Sequence, residues 1–172
     1  MDRDDLKAKG ILIVDDDPDL CLGLAATLRS HAFTNIRLAG DGEECLRVLA
    51  TSSSDVYVVT LGLNMPGMSG LEVVRRLTEF QKEVLGIIMI TGSSSWWSVA
   101  DEFLGLGTET VLTVDFLLKP YNREELLDDV RMILEFVHLK RLGQTVPSIL
   151  EEKLRQKGAS TKARLGRKYD TF

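Results

Sequence analysis

The stretch ILIVDDDP, at residues 11–18, indicates the fold more directly than any other part of the sequence. Its first four residues are apolar and typical of a buried strand, and the carboxylates and proline that follow are typical of the start of a helix. Beyond the proline, leucines recur every four residues and so share one helix face: Leu20, Leu24 and Leu28. We therefore predict a strand that leads directly into an amphipathic helix.

The same alternation of an apolar run and a helical period continues along the chain. The predicted strands are residues 11–14, 35–39, 56–61 and 86–91, with a last run that ends at Leu118. The predicted helices are residues 18–32, 41–51, 69–80, 95–106 and 122–140. Continuous apolar runs between helices are the pattern of a parallel sheet that is buried on both faces. We predict an α/β fold with a doubly wound, five-stranded parallel sheet and helices on both faces.

Size and composition are those of one ordinary globular domain with an appended segment. The chain has 172 residues, of which 44% are hydrophobic and 27% charged. This balance excludes wholesale disorder and collagen-like structure.

Residues 1–138 hold 23 acidic and 12 basic side chains, a net charge of −11, whereas residues 139–172 hold 3 acidic and 9 basic side chains, a net charge of +6. The acidic body argues against nucleic-acid binding by the main domain.

Two cysteines, Cys21 and Cys45, lie in predicted helices without the paired Cys/His spacing of a zinc site. They favour a reduced, intracellular protein. The charged N-terminus is followed by an apolar run of only four residues, far below the ~18 needed to span a bilayer. We expect a cytoplasmic protein that is neither secreted nor inserted in a membrane.

Polar residues follow four of the predicted strands at the edge where ligands bind in such sheets. They are the acidic run at residues 15–17, the loop at residues 62–70, Thr91 and Lys119. Carboxylate oxygens suit Mg²⁺, and lysine and threonine can hold phosphate oxygens. Capping of the next helix is the simpler explanation for part of the acidic run, and Asp17 or Asp19 is expected to fill that role.

Together these segments resemble the receiver domain of bacterial two-component response regulators, the CheY-like family. The resemblance covers roughly residues 8–140 and rests on ILIVDDDP, LNMPGMSGLE, IIMITG and FLLKPY in that order. It implies a flavodoxin-like fold with strand order 2-1-3-4-5. It also implies an acidic pair that binds Mg²⁺ and an aspartate after the third strand that a histidine kinase phosphorylates.

The resemblance assigns a role to each matching position. Asp15 and Asp16 match the acidic metal pair, and Asn64 matches the residue whose backbone carbonyl completes the metal site. The remaining matches are the switch hydroxyl, the phosphate-binding lysine and the aromatic rotamer switch: Thr91, Lys119 and Phe116. Pro120 follows the lysine as in the family, where that peptide bond is cis.

The main departure from the family is Gly62, which stands where the family has its phosphoacceptor aspartate. An acyl phosphate requires a carboxylate nucleophile, so phosphotransfer at this position is chemically impossible. Asp55 lies too far upstream to replace it. We expect weakened binding of Mg²⁺, and we expect Lys119 to pair with Asp15 or Asp16 instead.

A second departure lies between Gly107 and Phe116, where residues 108–114 make the segment several residues longer than in the family. This segment falls on the face of the fourth helix, fifth strand and fifth helix, which in receivers makes dimer and output contacts. Trp96 and Trp97 begin the same helix. One of them is a candidate partner anchor, and the equal alternative is one ring in the core and one along the surface.

The helical pattern changes after Lys140. Ser148 and Glu151 have the spacing of a capping box, and the predicted helix that follows is short and ends at Gly158. Residues 159–172 are small, basic and non-periodic, which predicts a mobile tail. We therefore divide the chain into a receiver domain at residues 8–140 and an extension at residues 141–172.

The resemblance, with Gly62 in place of the aspartate, implies a signalling module and not an enzyme. Its expected partner is a histidine kinase or another signalling protein, with a homodimer through the face described above as a further option.

One alternative is a haloacid-dehalogenase-like phosphatase with Asp15 as nucleophile, Asp17 as acid/base, and Thr91 and Lys119 as phosphate ligands. That family needs a further acidic pair, and only helix follows Lys119. Another alternative is binding of nucleic acid or a polyanion through the basic tail.

Overall fold

The computed structural model describes residues 3–92 and 97–166 of the chain. The strands are β1 (Gly10–Val14), β2 (Ile36–Ala39), β3 (Val56–Gly62), β4 (Leu85–Thr91) and β5 (Val111–Leu118). The helices are α1 (Arg3–Lys7), α2 (Pro18–Ser30), α3 (Gly42–Ser52), α4 (Gly70–Phe80), α5 (Trp97–Gly105), α6 (Arg123–Arg141) and α7 (Ser148–Gly166). The short helix α1 was not predicted from the sequence.

All five strands form one parallel sheet in the order β2-β1-β3-β4-β5. The predicted doubly wound, flavodoxin-like architecture is confirmed. Pairing of Val14 with Leu61, and of Gly62 with Ile90, brings the carboxyl ends of β1, β3 and β4 to one edge. The sheet therefore gathers the residues that follow its strands, as the sequence predicts.

The sheet separates two hydrophobic cores. One core lies under α3, α4 and α5 and includes Cys45, Leu77 and Phe103. The other lies under α2 and α6 and includes Cys21 and Leu127. Both cysteines are free and buried. Each fully buried leucine stabilises the fold by about 1.5–3 kcal/mol, so the continuous apolar runs of the strands hold both layers of helices on the sheet.

Polar side chains begin four helices at the predicted places. Asp17, Asp41, Ser69 and Asn122 accept hydrogen bonds from backbone N–H groups in the first turns of α2, α3, α4 and α6. Capping of this kind satisfies N–H groups that have no partner within the helix. The acidic residue that caps α2 is Asp17.

A bulge in β5 absorbs part of the extra length found after Gly107. Ile87 pairs with Thr113, but Ile88 pairs with Asp115, so Val114 has no partner on β4. Val114 packs in the core beside α6, and Asp115 contacts residues on the same side of the sheet. Because a bulge places two residues opposite one, consecutive side chains can face the same way.

The C-terminal extension differs from the sequence prediction. The prediction that its helix ends at Gly158 is wrong, because α7 continues to Gly166, and residues 159–166 are helical. The helix continues past Gly158 because Lys157 and Thr161 contact buried carboxyl groups on β5 and α6, and such contacts depend on the tertiary structure. The rest of the predicted mobile tail, residues 167–172, lies outside the described residues. Within the described ranges, no helix is both long and apolar enough to cross a membrane.

Candidate functional site

Four predicted site residues meet at the carboxyl edge of the sheet. Asp15 follows β1, Gly62 ends β3, Thr91 ends β4, and Lys119 follows β5. The backbone N–H of Lys119 donates to the carbonyl of Thr91 at 2.8 Å, which fixes the start of the loop after β5. The Lys119–Pro120 peptide bond is cis, as the resemblance implies.

The Asp15 carboxylate has partners for both of its oxygens. Oδ1 accepts a hydrogen bond from the backbone N–H of Asp17 at 3.0 Å, and Oδ2 lies 3.2 Å from Nζ of Lys119. Asp15 is only 6% exposed, whereas the Lys119 side chain is 29% exposed. The expected pairing of Lys119 with a carboxylate of the acidic run is thus present. A half-buried ion pair of this kind holds the carboxylate in place.

Cys21 lies beneath this pair, on the first turns of α2. Its Sγ donates to the backbone carbonyl of Asp15 at 3.5 Å. Burial raises the pKa of the Cys21 thiol, and the charge of Asp15 raises that pKa further. The thiol therefore stays protonated and has a structural role at neutral pH.

The room beside Gly62 is taken up by the Asp15 carboxylate. A Cβ atom at position 62 would lie 2.9 Å from Oδ2 and 3.3 Å from Cγ of Asp15. The following loop also packs closely, since a Cβ on Gly70 would lie 2.3 Å from the Gly62 carbonyl oxygen. Gly70 donates its N–H to the carbonyl of Leu63 at 2.8 Å. Two glycines therefore bring the loop after β3 back against the end of its own strand.

The remaining predicted metal ligands are exposed. Asp16 and Asn64 both face solvent on loops beside Asp15. Within the described part of the chain, no three His, Cys, Asp or Glu side chains form a group that could hold a metal ion. Mg²⁺ needs several hard oxygen ligands in near-octahedral geometry. Both oxygens of Asp15 are engaged in this structure, so a metal ion bound by Asp15 would have to displace Lys119 or the backbone N–H of Asp17.

The predicted switch residues are buried. Thr91 is 3% exposed at the end of β4. The Phe116 ring lies inside the core against Phe103 of α5, with ring centroids 5.9 Å apart and an edge-to-face angle of 69°. The contribution of Phe103 was not predicted, although its apolar position on a helical period was the available signal. Trp96 and the side chain of Trp97 lie outside the described residues.

Asp17 is not placed for the acid/base role that the phosphatase alternative gives it. Its Oδ1 accepts from the backbone N–H groups of Asp19 and Leu20 at 3.0 and 3.3 Å. Asp15, the nucleophile of that alternative, is bound to Lys119. Capping engages one of the two oxygens of Asp17, and Asp15 would have to leave Lys119 before it could act as a nucleophile.

The fold and this edge define the class of protein, and sequence comparison agrees. A sequence profile described as the response regulator receiver domain matches residues 11–131. The chain belongs to the response regulator receiver family.

Full-length relatives are longer than this chain. It is 35% identical over 130 residues to the response regulator MprA of Mycobacterium ulcerans, with coverage of 76% of this chain and 52% of the relative. It is 34% identical over 137 residues to the transcriptional regulatory protein CpxR of Klebsiella pneumoniae, with 78% and 53% covered. The chain thus spans about half the length of the curated relatives it matches.

Solved structures of similar fold include receivers bound to a phosphoryl mimic. CheY of Borrelia burgdorferi, in a complex with CheX, BeF3 and Mg²⁺, is 30% identical with a TM-score of 0.61, and the match covers 71% of this chain and 86% of that chain. TrrA of Thermotoga maritima, in complex with Mg²⁺ and BeF, is 30% identical with a TM-score of 0.60, with 73% and 98% covered. Those two proteins therefore bind Mg²⁺ in their own crystals.

Proposed function

We propose that this chain is a two-component signalling module that acts without phosphorylation at position 62. In this proposal it binds a histidine kinase or another signalling protein in the cytoplasm and serves as an adaptor or competitor. Membership of the receiver family supports the signalling role. The family consists of signalling modules, so the role is one of binding and not of turnover.

The geometry around Gly62 supports the phosphorylation-independent part of the proposal most strongly. Glycine offers no nucleophile for phosphoryl transfer. The adjacent Asp15 carboxylate occupies the room where a side chain would begin, and Lys119 neutralises it there. Both groups that would hold a phosphoryl group and its metal are therefore bound to each other.

The decisive experiment compares the wild-type chain with Gly62→Asp. Each is incubated with Mg²⁺ and a small phosphodonor, and its intact mass and backbone NMR spectrum are recorded. We expect only Gly62→Asp to gain a phosphoryl group, with shifts around Thr91 and Phe116. The new side chain requires the end of the Asp15 side chain to move, because a Cβ atom at position 62 would lie 2.9 Å from its Oδ2.

Gly62→Asn is the matched control, because it adds the same shape without a nucleophilic carboxylate. It should remain unmodified. A phosphoryl group on the wild-type chain would refute the proposal, since another residue would then be the acceptor.

For Mg²⁺ we propose binding that is weaker in the wild type than in Gly62→Asp. The aspartate adds a third anionic group at the edge and offers Lys119 another partner, which frees Asp15 for the metal. Isothermal titration with MgCl2 measures both affinities. Equal affinities for the two chains would contradict this part of the proposal.

The two proposed partner surfaces are both engaged by contacts within the chain. The face of α5, β5 and α6, proposed for homodimer or output contacts, lies under α7 in this structure. The basic extension, proposed as an alternative site for polyanions, directs Lys157 inward to three carboxylates. Both observations favour a protein partner at other surfaces over nucleic acid while α7 is in place.

A further inference from the structure

The C-terminal helix α7 packs against β5, α5 and α6. β5 is an edge strand of the sheet, and α7 lies along it. The inward residues of α7 recur at alternating intervals of four and three and so form one stripe along the helix: Leu150, Leu154, Lys157 and Thr161. A stripe with this spacing is how an amphipathic helix docks in a groove.

The first half of α7 is held by a small apolar cluster. Leu150 and Val146 pack on Phe136 of α6, with Leu154 and Leu112 at the margin. Leu154 and Leu112 also pack at the margin of the core under α2 and α6. Leu150 is the one described residue of α7 among the buried members of the cluster, so the first half of α7 buries little apolar surface.

The second half of α7 is held by charge. Nζ of Lys157 lies 3.0 Å from Oδ2 of Asp115, 3.1 Å from Oδ1 of Asp129 and 2.8 Å from Oε1 of Glu125. The Thr161 hydroxyl donates to Oδ1 of Asp115. These contacts join α7 to both β5 and α6.

The carboxylates that receive Lys157 are unusually deep. Asp115 is 0% exposed and Asp129 is 3% exposed. Burial, together with the charge of the nearby Asp115, raises the pKa of Asp129 to about 8. Nζ of a single lysine, Lys157, contacts both of these carboxyl groups.

Packing around the lysine is incomplete. A cleft of about 610 Å³ lies between α6 and α7 and is lined by Asp129, Lys157, Lys153 and Ser160 among others. A Cβ atom on Gly158 would have no neighbouring heavy atom within 4 Å. An ion pair that loses one partner leaves a buried charge without compensation, which is strongly destabilising. Attachment of this half of α7 therefore depends mainly on Lys157.

We propose that α7 is a displaceable cover on the surface of α5, β5 and α6, latched by Lys157 between Asp115 and Asp129. When the latch opens, the surface under α7 becomes a binding site for an amphipathic helix of the same chemistry, with two leucines four residues apart and a lysine three residues further on. The acidic body of the chain and the buried carboxyl pair complement the positive charge of such a helix. The latch uses none of the residues at the carboxyl edge.

The first test compares Lys157→Met with Lys153→Met in the full-length chain. Both lose one positive charge, but Lys153 is exposed one turn away. Hydrogen–deuterium exchange followed by mass spectrometry should show at least tenfold faster exchange of residues 155–166 in Lys157→Met. The strands β1 to β5 and the Lys153→Met chain should exchange as the wild type does. Equal hydrogen–deuterium exchange of α7 in the two variants would overturn the proposal that Lys157 holds α7 in place.

The second test asks whether the uncovered surface takes a helix in trans. The probe is a fluorescent peptide with the sequence of residues 145–166, titrated against full-length wild type and Lys157→Met. Because the cis helix occupies the site in wild type, the peptide should bind Lys157→Met at least tenfold more tightly. Asp129→Arg in the Lys157→Met background should abolish that binding. Failure of the peptide to bind Lys157→Met, or equal binding to both chains, would overturn the proposal.

Discussion

The Asp15 carboxylate has Lys119 as its partner at the carboxyl edge of the sheet. Its Oδ2 atom reaches toward the place where a side chain of residue 62 would start. The absence of a side chain at Gly62 on β3 leaves room for an ion pair between the residue after β1 and the loop after β5. At the scale of single residues, electrostatic pairing decides what the site can do.

Lys119→Met should reduce the free energy of unfolding by about 1–2 kcal/mol, because it leaves the buried Asp15 without a cation. The value is below that of a fully buried pair because the lysine is partly exposed. Urea denaturation measures the change, and Lys82→Met at an exposed position is the control. Asp15→Asn should cost less in the Lys119→Met background than in wild type. Additive effects in this double-mutant cycle would contradict the pairing.

Asp129 should make stability depend on pH. Its pKa is raised in the folded chain to about 8, so the folded state binds a proton that the unfolded state releases near pH 4. Its contribution to stability is fully present below about pH 4 and is lost as pH rises through about 8. Lys157 on α7 pairs with Asp129 and also with Asp115 on β5 and with Glu125, and Thr161 donates to Asp115.

Asp129→Asn provides the measurement. The asparagine amide can donate to Asp115 and accept from Lys157. The contacts of residue 129 are therefore kept, while its side chain no longer titrates. Urea unfolding between about pH 5 and 8.5 should give a flatter pH profile for Asp129→Asn than for wild type. Parallel profiles would show that Asp129 does not titrate in this range.

At the scale of elements, two glycines in helices have opposite roles. Gly70 opens α4 directly against the end of β3, where a Cβ would meet the Gly62 carbonyl oxygen. Gly158 lies in the middle of α7 with open space around it. The first glycine allows a close approach of two backbones, whereas the second only lowers helix propensity.

Alanine substitution should separate these roles. Gly70→Ala should destabilise the fold by about 2 kcal/mol or more, because backbone atoms have to move. Gly158→Ala should stabilise α7 by about 0.5–1 kcal/mol and slow its hydrogen exchange. Thermal unfolding and exchange measure the two effects. A stabilising Gly70→Ala would show that the loop after β3 packs more loosely than described.

At the scale of the whole molecule, one sheet joins two cores, and α7 is attached through a third, smaller cluster. A sheet shared by both cores favours a single cooperative unfolding transition. A helix with few apolar contacts is expected to open locally at lower free energy. The arrangement separates a stable signalling domain from a cover that can move.

Native-state hydrogen exchange at increasing denaturant concentration tests this division. Amides of residues 155–166 should exchange by a local opening that responds weakly to denaturant. Amides of β1, β3 and β4 should exchange only through global unfolding, with a steep response. The same steep response in both regions would mean that α7 belongs to the cooperative core.

Much of this protein follows from local sequence patterns. The strands and the helices that layer the sheet were predictable because a strand buried on both faces requires a continuous apolar run, and a helix on a sheet requires an apolar stripe. The carboxyl-edge residues were predictable for a related reason, since parallel strands end at one edge. The bulge at Val114 was not predictable, because it depends on the register of β5 against β4.

The sequence narrowed the partner of Lys119 to Asp15 or Asp16, and the tertiary structure selected Asp15, whereas for α7 only the tertiary structure decided which charges meet. Lys119 and Asp15 are 104 residues apart in the sequence, and Thr161 and Asp115 are 46 apart. The composition of residues 159–166 predicts a mobile tail, yet buried partners on β5 and α6 keep this segment helical. Sequence by itself determined the layers and the absence of a side chain at position 62, because both are properties of single segments. The folded chain determined the partners of the buried charges, because desolvation and pairing depend on what surrounds each group.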